Sequence, residues 1–187
     1  MDAKRISRIL RAVQEGDLTV GEAAAIFQNM PFTDIGCANV DLDRETRCGL
    51  PEAIFCQGKT VEQVKSIARR MLTNHVNVLA TRATEAMYEA VREVAPDAVW
   101  TPLARTIAIK RKPRHAPIGE IVIACAGTSD LPVAEEARVT AEFLDNQVHA
   151  VRDVGVAGIH RLLRHAPRLR KARVVIGHQK KWMKSWA

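Results

Sequence analysis

The sequence is short of several things. It carries four cysteines in 187 residues, Cys37, Cys48, Cys56 and Cys125, and no two of them form a Cys-x-x-Cys pair. That spacing carries many zinc sites, so no metal is expected. Cys125 ends an apolar run, where a free cysteine is usually a small core residue and not a nucleophile. No apolar run approaches a membrane span. The start, Met1-Asp2-Ala3-Lys4-Arg5, lacks the apolar centre of a signal peptide. We therefore expect a cytoplasmic protein with no membrane partner, in a reducing compartment that disfavours disulfides. Internal repeats and low-complexity tracts are absent. Aromatic residues make up only 4%.

Acid is missing from residues 161–187, which carry nine Lys or Arg. Taking those nine from the net charge of +7 leaves the other 160 residues at −2. The positive charge is thus a property of one end and not of a basic domain. Only Trp182 and Trp186 interleave with it as stacking groups. No nucleic-acid partner is expected.

What is there suits a folded α/β protein. Hydrophobic residues make up 47%, enough for a core, and the length allows one or two domains. Residues 1–29 read as a helical arm. Ile6, Ile9, Leu10 and Val13 fall at helical spacing, Gly16 ends that helix, and Thr19-Val20-Gly21-Glu22 is a capping box opening a second. Two short helices joined by a turn could also be a DNA-binding pair. The second is Ala-rich and lacks a basic reading face, which favours a docking or oligomerisation arm.

Residues 30–111 read as a small α/β domain. Its first part, to residue 50, is polar and irregular. Strands are predicted at Ala53–Cys56, Asn77–Arg82, Ala98–Thr101 and Thr106–Lys110, with a helix from about Thr84 to Val94. Gly58-Lys59-Thr60 tempts a nucleotide P-loop reading, but the earlier glycine would fall at Ala53, so it fails. Thr60-Val61-Glu62-Gln63 is instead a capping box, with Val64, Ile67, Ala68 and Met71 facing inward. Lys59 sits beside the anion-attracting end of that helix. Arg111-Lys112-Pro113-Arg114-His115-Ala116-Pro117 is a basic, Pro-bounded linker.

The chain turns on residues 119–161. Gly119–Cys125 reads as a buried strand and Val133–Leu144 as a helix. Between them lies Ala126-Gly127-Thr128-Ser129-Asp130. A loop between a strand end and a helix N-terminus is where open parallel sheets bind ligands, and the free N–H groups there favour an anion. Ser129 or Asp130 could equally cap the helix. The readings are of equal weight and both stay open. Gln147–Val151 is the next strand and runs into Asp153-Val154-Gly155-Val156-Ala157-Gly158, whose glycines allow close backbone approach at the same edge. A helix then starts near His160-Arg161, and Arg173–Ile176 is a third strand. Successive βα units make the strands parallel.

Two motifs carry a resemblance. Ala126-Gly127-Thr128-Ser129-Asp130-Leu131-Pro132-Val133-Ala134-Glu135-Glu136-Ala137 resembles the first ligand loop of the PurE superfamily of aminoimidazole-ribonucleotide carboxylases and mutases. Together with Asp153-Val154-Gly155-Val156-Ala157-Gly158-Ile159-His160-Arg161, it is more similar to one branch, LarB. The resemblance runs from about residue 30 to Ile176. It implies a small N-terminal α/β domain at 30–111. A partial PurE-like (flavodoxin-like) three-layer αβα parallel sheet at 117–176 and a divergent basic tail at 177–187 follow.

By the same resemblance the activity is carboxylation of the pyridinium ring of nicotinic acid adenine dinucleotide with release of AMP, in nickel-pincer nucleotide biosynthesis. Carbon dioxide or bicarbonate is the co-substrate, and no tightly bound cofactor is implied. The partner is a further copy of the chain, an octamer in the superfamily. Arg44, in Asp41-Leu42-Asp43-Arg44-Glu45-Thr46-Arg47, matches a family Asp-x-x-Arg segment, although a solvated loop explains that stretch as well. The candidate catalytic residue is Asp130. The candidate substrate-binding residues are Gly127, Thr128, Ser129, Asp130, Gly155, His160, Arg161, Lys59, Arg82 and Arg44. His160 could also simply pack against its turn. The family's cysteine nucleophile has no counterpart among the four cysteines, so a truncated or frame-shifted reading frame is expected. The alternatives are a PurE-type purine-pathway carboxylase or mutase and a non-catalytic nucleotide- or nucleic-acid-binding module. Against the former, the segment from Val154 to Arg161 replaces a Ser-Ala-His-Arg turn.

Overall fold

Helix starts and stops are written locally in this chain. The structure, a computed structural model, describes residues 3–29, 32–34, 39–41, 52–74, 77–113, 116–117, 119–155 and 158–178. Helix α1 (Ala3–Glu15) ends at Gly16, whose φ of 83° is a left-handed conformation that glycine adopts without strain. Helix α2 (Val20–Asn29) opens on the predicted capping box: the Thr19 N–H donates to Glu22 Oε2 at 2.8 Å, and the Glu22 N–H donates to Thr19 Oγ1 at 3.2 Å. The two helices pack together, with Ile9 and Ala23 buried and Leu10 exposed.

Residues 30–50 are not wholly irregular as expected. Strands β1 (Phe32–Asp34) and β2 (Asn39–Asp41) pair antiparallel, with Phe32 opposite Asp41. The elements β3 (Ala53–Phe55), α3 (Val61–Asn74), β4 (Val78–Thr81), α4 (Glu85–Arg92), β5 (Val99–Thr101) and β6 (Thr106–Ile109) form a second unit. Its sheet has the order β3-β4-β6-β5. The pair β3/β4 is parallel, and β6 runs antiparallel to both β4 and β5. Thr60 and Gln63 cap α3 reciprocally at 2.9 and 3.2 Å. The predicted inward residues Val64, Ile67, Ala68 and Met71 are buried, in one cluster with Ile54, Val78, Ala80, Val91, Ile107 and Ile109. Each of the larger aliphatic side chains contributes about 1.5–3 kcal/mol by leaving water. The buried Asn77 side chain then pins the chain's exit. Its amide donates to the Lys112 carbonyl at 2.7 Å, and its Oδ1 accepts from Arg111 N at 2.8 Å and Lys112 N at 3.1 Å.

The third sheet holds β7 (Glu120–Cys125), β8 (Gln147–Val151) and β9 (Val174–His178) in the order β8-β7-β9, all parallel. Helix α5 (Leu131–Phe143) links β7 to β8, and α6 (Ile159–Arg164) and α7 (Ala166–Lys171) link β8 to β9. Right-handed crossovers in this order put α5 on one face and α6–α7 on the other, so the chain is an α/β protein with a flavodoxin-like three-layer start. The single helix expected after His160 is broken at His165, where Pro167 enters the first turn of α7. Helix α5 packs on β7 and β8 and also on β4 and β6, so it is the layer between the two larger sheets. Strand β9 is an edge whose Val174, Val175 and Ile176 are exposed. No helix among the described residues is long and apolar enough to cross a membrane.

Candidate functional site

The apolar strand β7 brings the chain to Gly127, and the backbone there is extended, with φ of −149°. The chain then closes on itself in a short 3-10 turn. The Asp130 N–H donates to the Gly127 carbonyl at 3.0 Å, and the Gly127 N–H donates to Asp130 Oδ2 at 3.2 Å. Thr128 and Ser129 are exposed at the tip, whereas Asp130 is only 3% exposed. Asp130 makes no side-chain cap to α5. Its carboxylate turns back to the loop instead. The N-terminus of the 13-residue helix α5, with Pro132 in its first turn, therefore keeps its positive end toward the exposed tip.

The loop after β8 meets this turn. The Val154 N–H donates to the Cys125 carbonyl at 3.1 Å. A Cβ built on Gly155 would lie 3.3 Å from both the Cβ and the carbonyl oxygen of Ala126, so the two strand-end loops touch where glycine allows it. Asp153 sits at φ 57° and forms an ion pair with Arg161. The Arg161 side chain lies over Gly158, where any larger residue would force it to shift. Its guanidinium is thus held by a carboxylate of the same loop. His160, one residue earlier on α6, is exposed. Gly127, Thr128, Ser129, Asp130 and Gly155 therefore meet at one edge, with Arg161 and His160 on the neighbouring loop and helix start.

Arg82 and Lys59 belong to the other sheet. Arg82 follows β4 in a left-handed conformation (φ 55°), and its Nε stands 2.8 Å from Glu136 Oε2 on α5. Lys110 adds a second tie, 2.6 Å to Asp145 Oδ1 and 2.7 Å to the Glu142 carbonyl. Lys59 follows β3, with its N–H donating to the Cys56 carbonyl at 3.0 Å. Arg44 lies outside the described residues, as do Arg47, Cys37 and Cys48. On α5, Arg138 bonds Glu135 at 2.6 Å and Glu142 at 2.5 Å. The hydrogen bond from Arg138, against an opposing cost of burial, holds the Glu135 carboxyl below its ordinary range.

The two described cysteines are core residues. Burial pushes the Cys56 thiol up to about 11, partly offset by Lys59, and burial pushes the Cys125 thiol up as well. Neither is activated as a nucleophile. Sequence reasoning passed over Glu136 and His178. The His178 Nε2 lies 3.8 Å from Asp130 Oδ1 and is buried without a hydrogen-bond partner. Its one sequence signal is its place directly after a strand, at the edge where the loops gather.

A parallel sheet with two loops touching at its strand ends marks an α/β protein, and that edge is where open sheets of this class bind ligands. Residues 32–112 match the family described as LarB/PurE-like N-terminal domain, which supports a LarB/PurE-like family for the chain. It is also similar to the uncharacterized protein MJ0165 of Methanocaldococcus jannaschii, 31% identical over 166 residues, which cover 85% of this chain and 65% of that protein. The chain thus spans just under two thirds of the length of the curated relative it matches.

Proposed function

We propose that the chain supplies the nucleotide-holding loop of a carboxylase and hydrolase that adds carbon dioxide to the pyridinium ring of nicotinic acid adenine dinucleotide and splits its pyrophosphate bond with water, releasing AMP. The LarB/PurE-like domain supports a PurE-superfamily enzyme. The observation that carries the finer reading is the turn at Gly127–Asp130, with an exposed Thr128-Ser129 tip over a buried Asp130 carboxylate and Gly155 against its base. Backbone N–H groups and hydroxyls at the tip would hold phosphate, carboxylate or carbon dioxide. Asp130 would take the ring proton that carboxylation releases. His160 and Arg161 would steer the anionic substrate, as would Lys59, Arg82 and Arg44 from the other domain. In this reading the domains are the arm at 1–29, the small α/β domain at 30–111 and the carboxylase sheet at 117–176. The protein acts in the cytoplasm as a homo-oligomer of octameric type, with no resident cofactor.

The test is incubation of the full-length protein with nicotinic acid adenine dinucleotide and bicarbonate, followed by detection of AMP. AMP released only when bicarbonate is present supports the reading. Turnover of aminoimidazole ribonucleotide without AMP release would assign the site to purine carboxylation.

A further inference from the structure

Carboxylation at carbon releases a proton. The C–H bond breaks, a C–C bond to carbon dioxide forms, and the proton must reach water. Asp130, the group placed to take it, is 3% exposed, and its Oδ2 accepts the Gly127 N–H. A carboxylic acid formed there has little direct contact with solvent. His178 stands between the two. Its Nε2 is buried and faces Asp130 Oδ1 at 3.8 Å, while about a third of the side chain, 34%, is exposed. The backbone ties the two together, since the His178 carbonyl accepts the Ala126 N–H at 3.4 Å, one residue before the turn.

We infer that His178 is a positioning residue that relays protons between the buried Asp130 carboxyl and water, a role that rests on the carboxylase reading of the loop. Asp130 takes the proton on Oδ1 and passes it to Nε2 of the neutral imidazole. The imidazolium then gives its Nδ1 proton to water or buffer, and the reverse tautomer exchange resets the ring. Atoms and charge balance without a further reactant. The 3.8 Å gap must close by about 1 Å to reach hydrogen-bond distance, a tightening expected as substrate binds.

Among the described residues, the groups beside the pair lie on β7 and in the loop after β8. Cys125 lies opposite His178 in the β7–β9 register, and its thiol, pushed up by burial, stays protonated and does not compete for the proton. The charges of Asp153 and Arg152, in the loop after β8, act on that same thiol with opposite signs.

The contact is tested on the whole protein by following the ¹³Cγ resonance of Asp130 and the ring resonances of His178 from pH 5 to 9. The Asp130 signal is expected to step where the His178 ring titrates, and the step is expected to vanish in His178→Gln. A resonance that passes through the His178 titration without a step overturns the relay, whether or not the protein carboxylates. In turnover, His178→Gln is expected to slow by at least about tenfold in weak buffer and to recover with added imidazole, which a merely structural role would not produce. Wild-type turnover by His178→Gln, with no imidazole effect, overturns it too. Absence of carboxylation by the wild type would remove the enzymatic reading alone, and the resonance test would still decide the contact.

Discussion

Arg82 Nε and Glu136 Oε2 meet at 2.8 Å, the first on the loop after β4 and the second on the second turn of α5. This pair joins the two larger sheets beside the Gly127–Asp130 turn, so small-domain packing and turn position are linked. A double-mutant cycle with Arg82→Ala and Glu136→Gln, measured by denaturant unfolding, is expected to give a coupling energy of about 0.5–1 kcal/mol. Strictly additive single substitutions would mean that the pair holds nothing together.

Gly155 sets the spacing of the two strand-end loops. A side chain there meets Ala126 at 3.3 Å, and the backbone atoms it meets cannot swing aside. Gly155→Val is therefore expected to cost about 1–3 kcal/mol and to weaken nucleotide binding in calorimetry. Unchanged stability and unchanged binding would show that the loops do not need this contact.

The Glu135 carboxyl is held below its ordinary range, chiefly by the hydrogen bond from Arg138 at 2.6 Å. A lowered carboxyl stabilises the fold above its unfolded-state value, and that contribution is lost as pH falls through the lower, folded-state value. Glu135→Gln is expected to lose about 1 kcal/mol at pH 7 and progressively less toward pH 3. An equal loss at both pH values, by urea denaturation, would assign the effect to packing.

Cys56 and Cys125 are buried, and burial keeps both thiols protonated at neutral pH. Iodoacetamide at pH 7.5 is expected to leave both unmodified in the native protein and to modify both after denaturation, as read by peptide mapping. Rapid native labelling of Cys125 would make it a candidate nucleophile after all.

Local chemistry was legible in the sequence where it depends on near neighbours. Thr19 with Glu22 and Thr60 with Gln63 cap helices as their spacing predicts, and the apolar run ending at Cys125 is the central parallel strand. The order β3-β4-β6-β5 was not legible, because apolar alternation says nothing of which neighbour a strand chooses. The β1/β2 pair is two three-residue strands in which only Phe32 and Val40 are apolar, too little to carry a strand pattern. Asp130 was legible as a cap or a ligand group, yet its carboxylate turns to Gly127, a choice made by the tightness of the turn. His178 was missed because the apolar pattern stops at Ile176, while backbone pairing carries β9 two residues further to lie beside Cys125. Glu136 was passed over because nothing in the sequence shows that the second sheet packs on its side of α5.

The central claim is that the turn over Asp130 serves carboxylation of a pyridinium nucleotide. Radiolabelled bicarbonate supplied to the full-length protein with nicotinic acid adenine dinucleotide tests it most directly. The account predicts label in the nucleotide product with matching AMP release, both falling at least about a hundredfold in Asp130→Asn. Label incorporated by Asp130→Asn at the wild-type rate, or no label at all from the wild type, would contradict it.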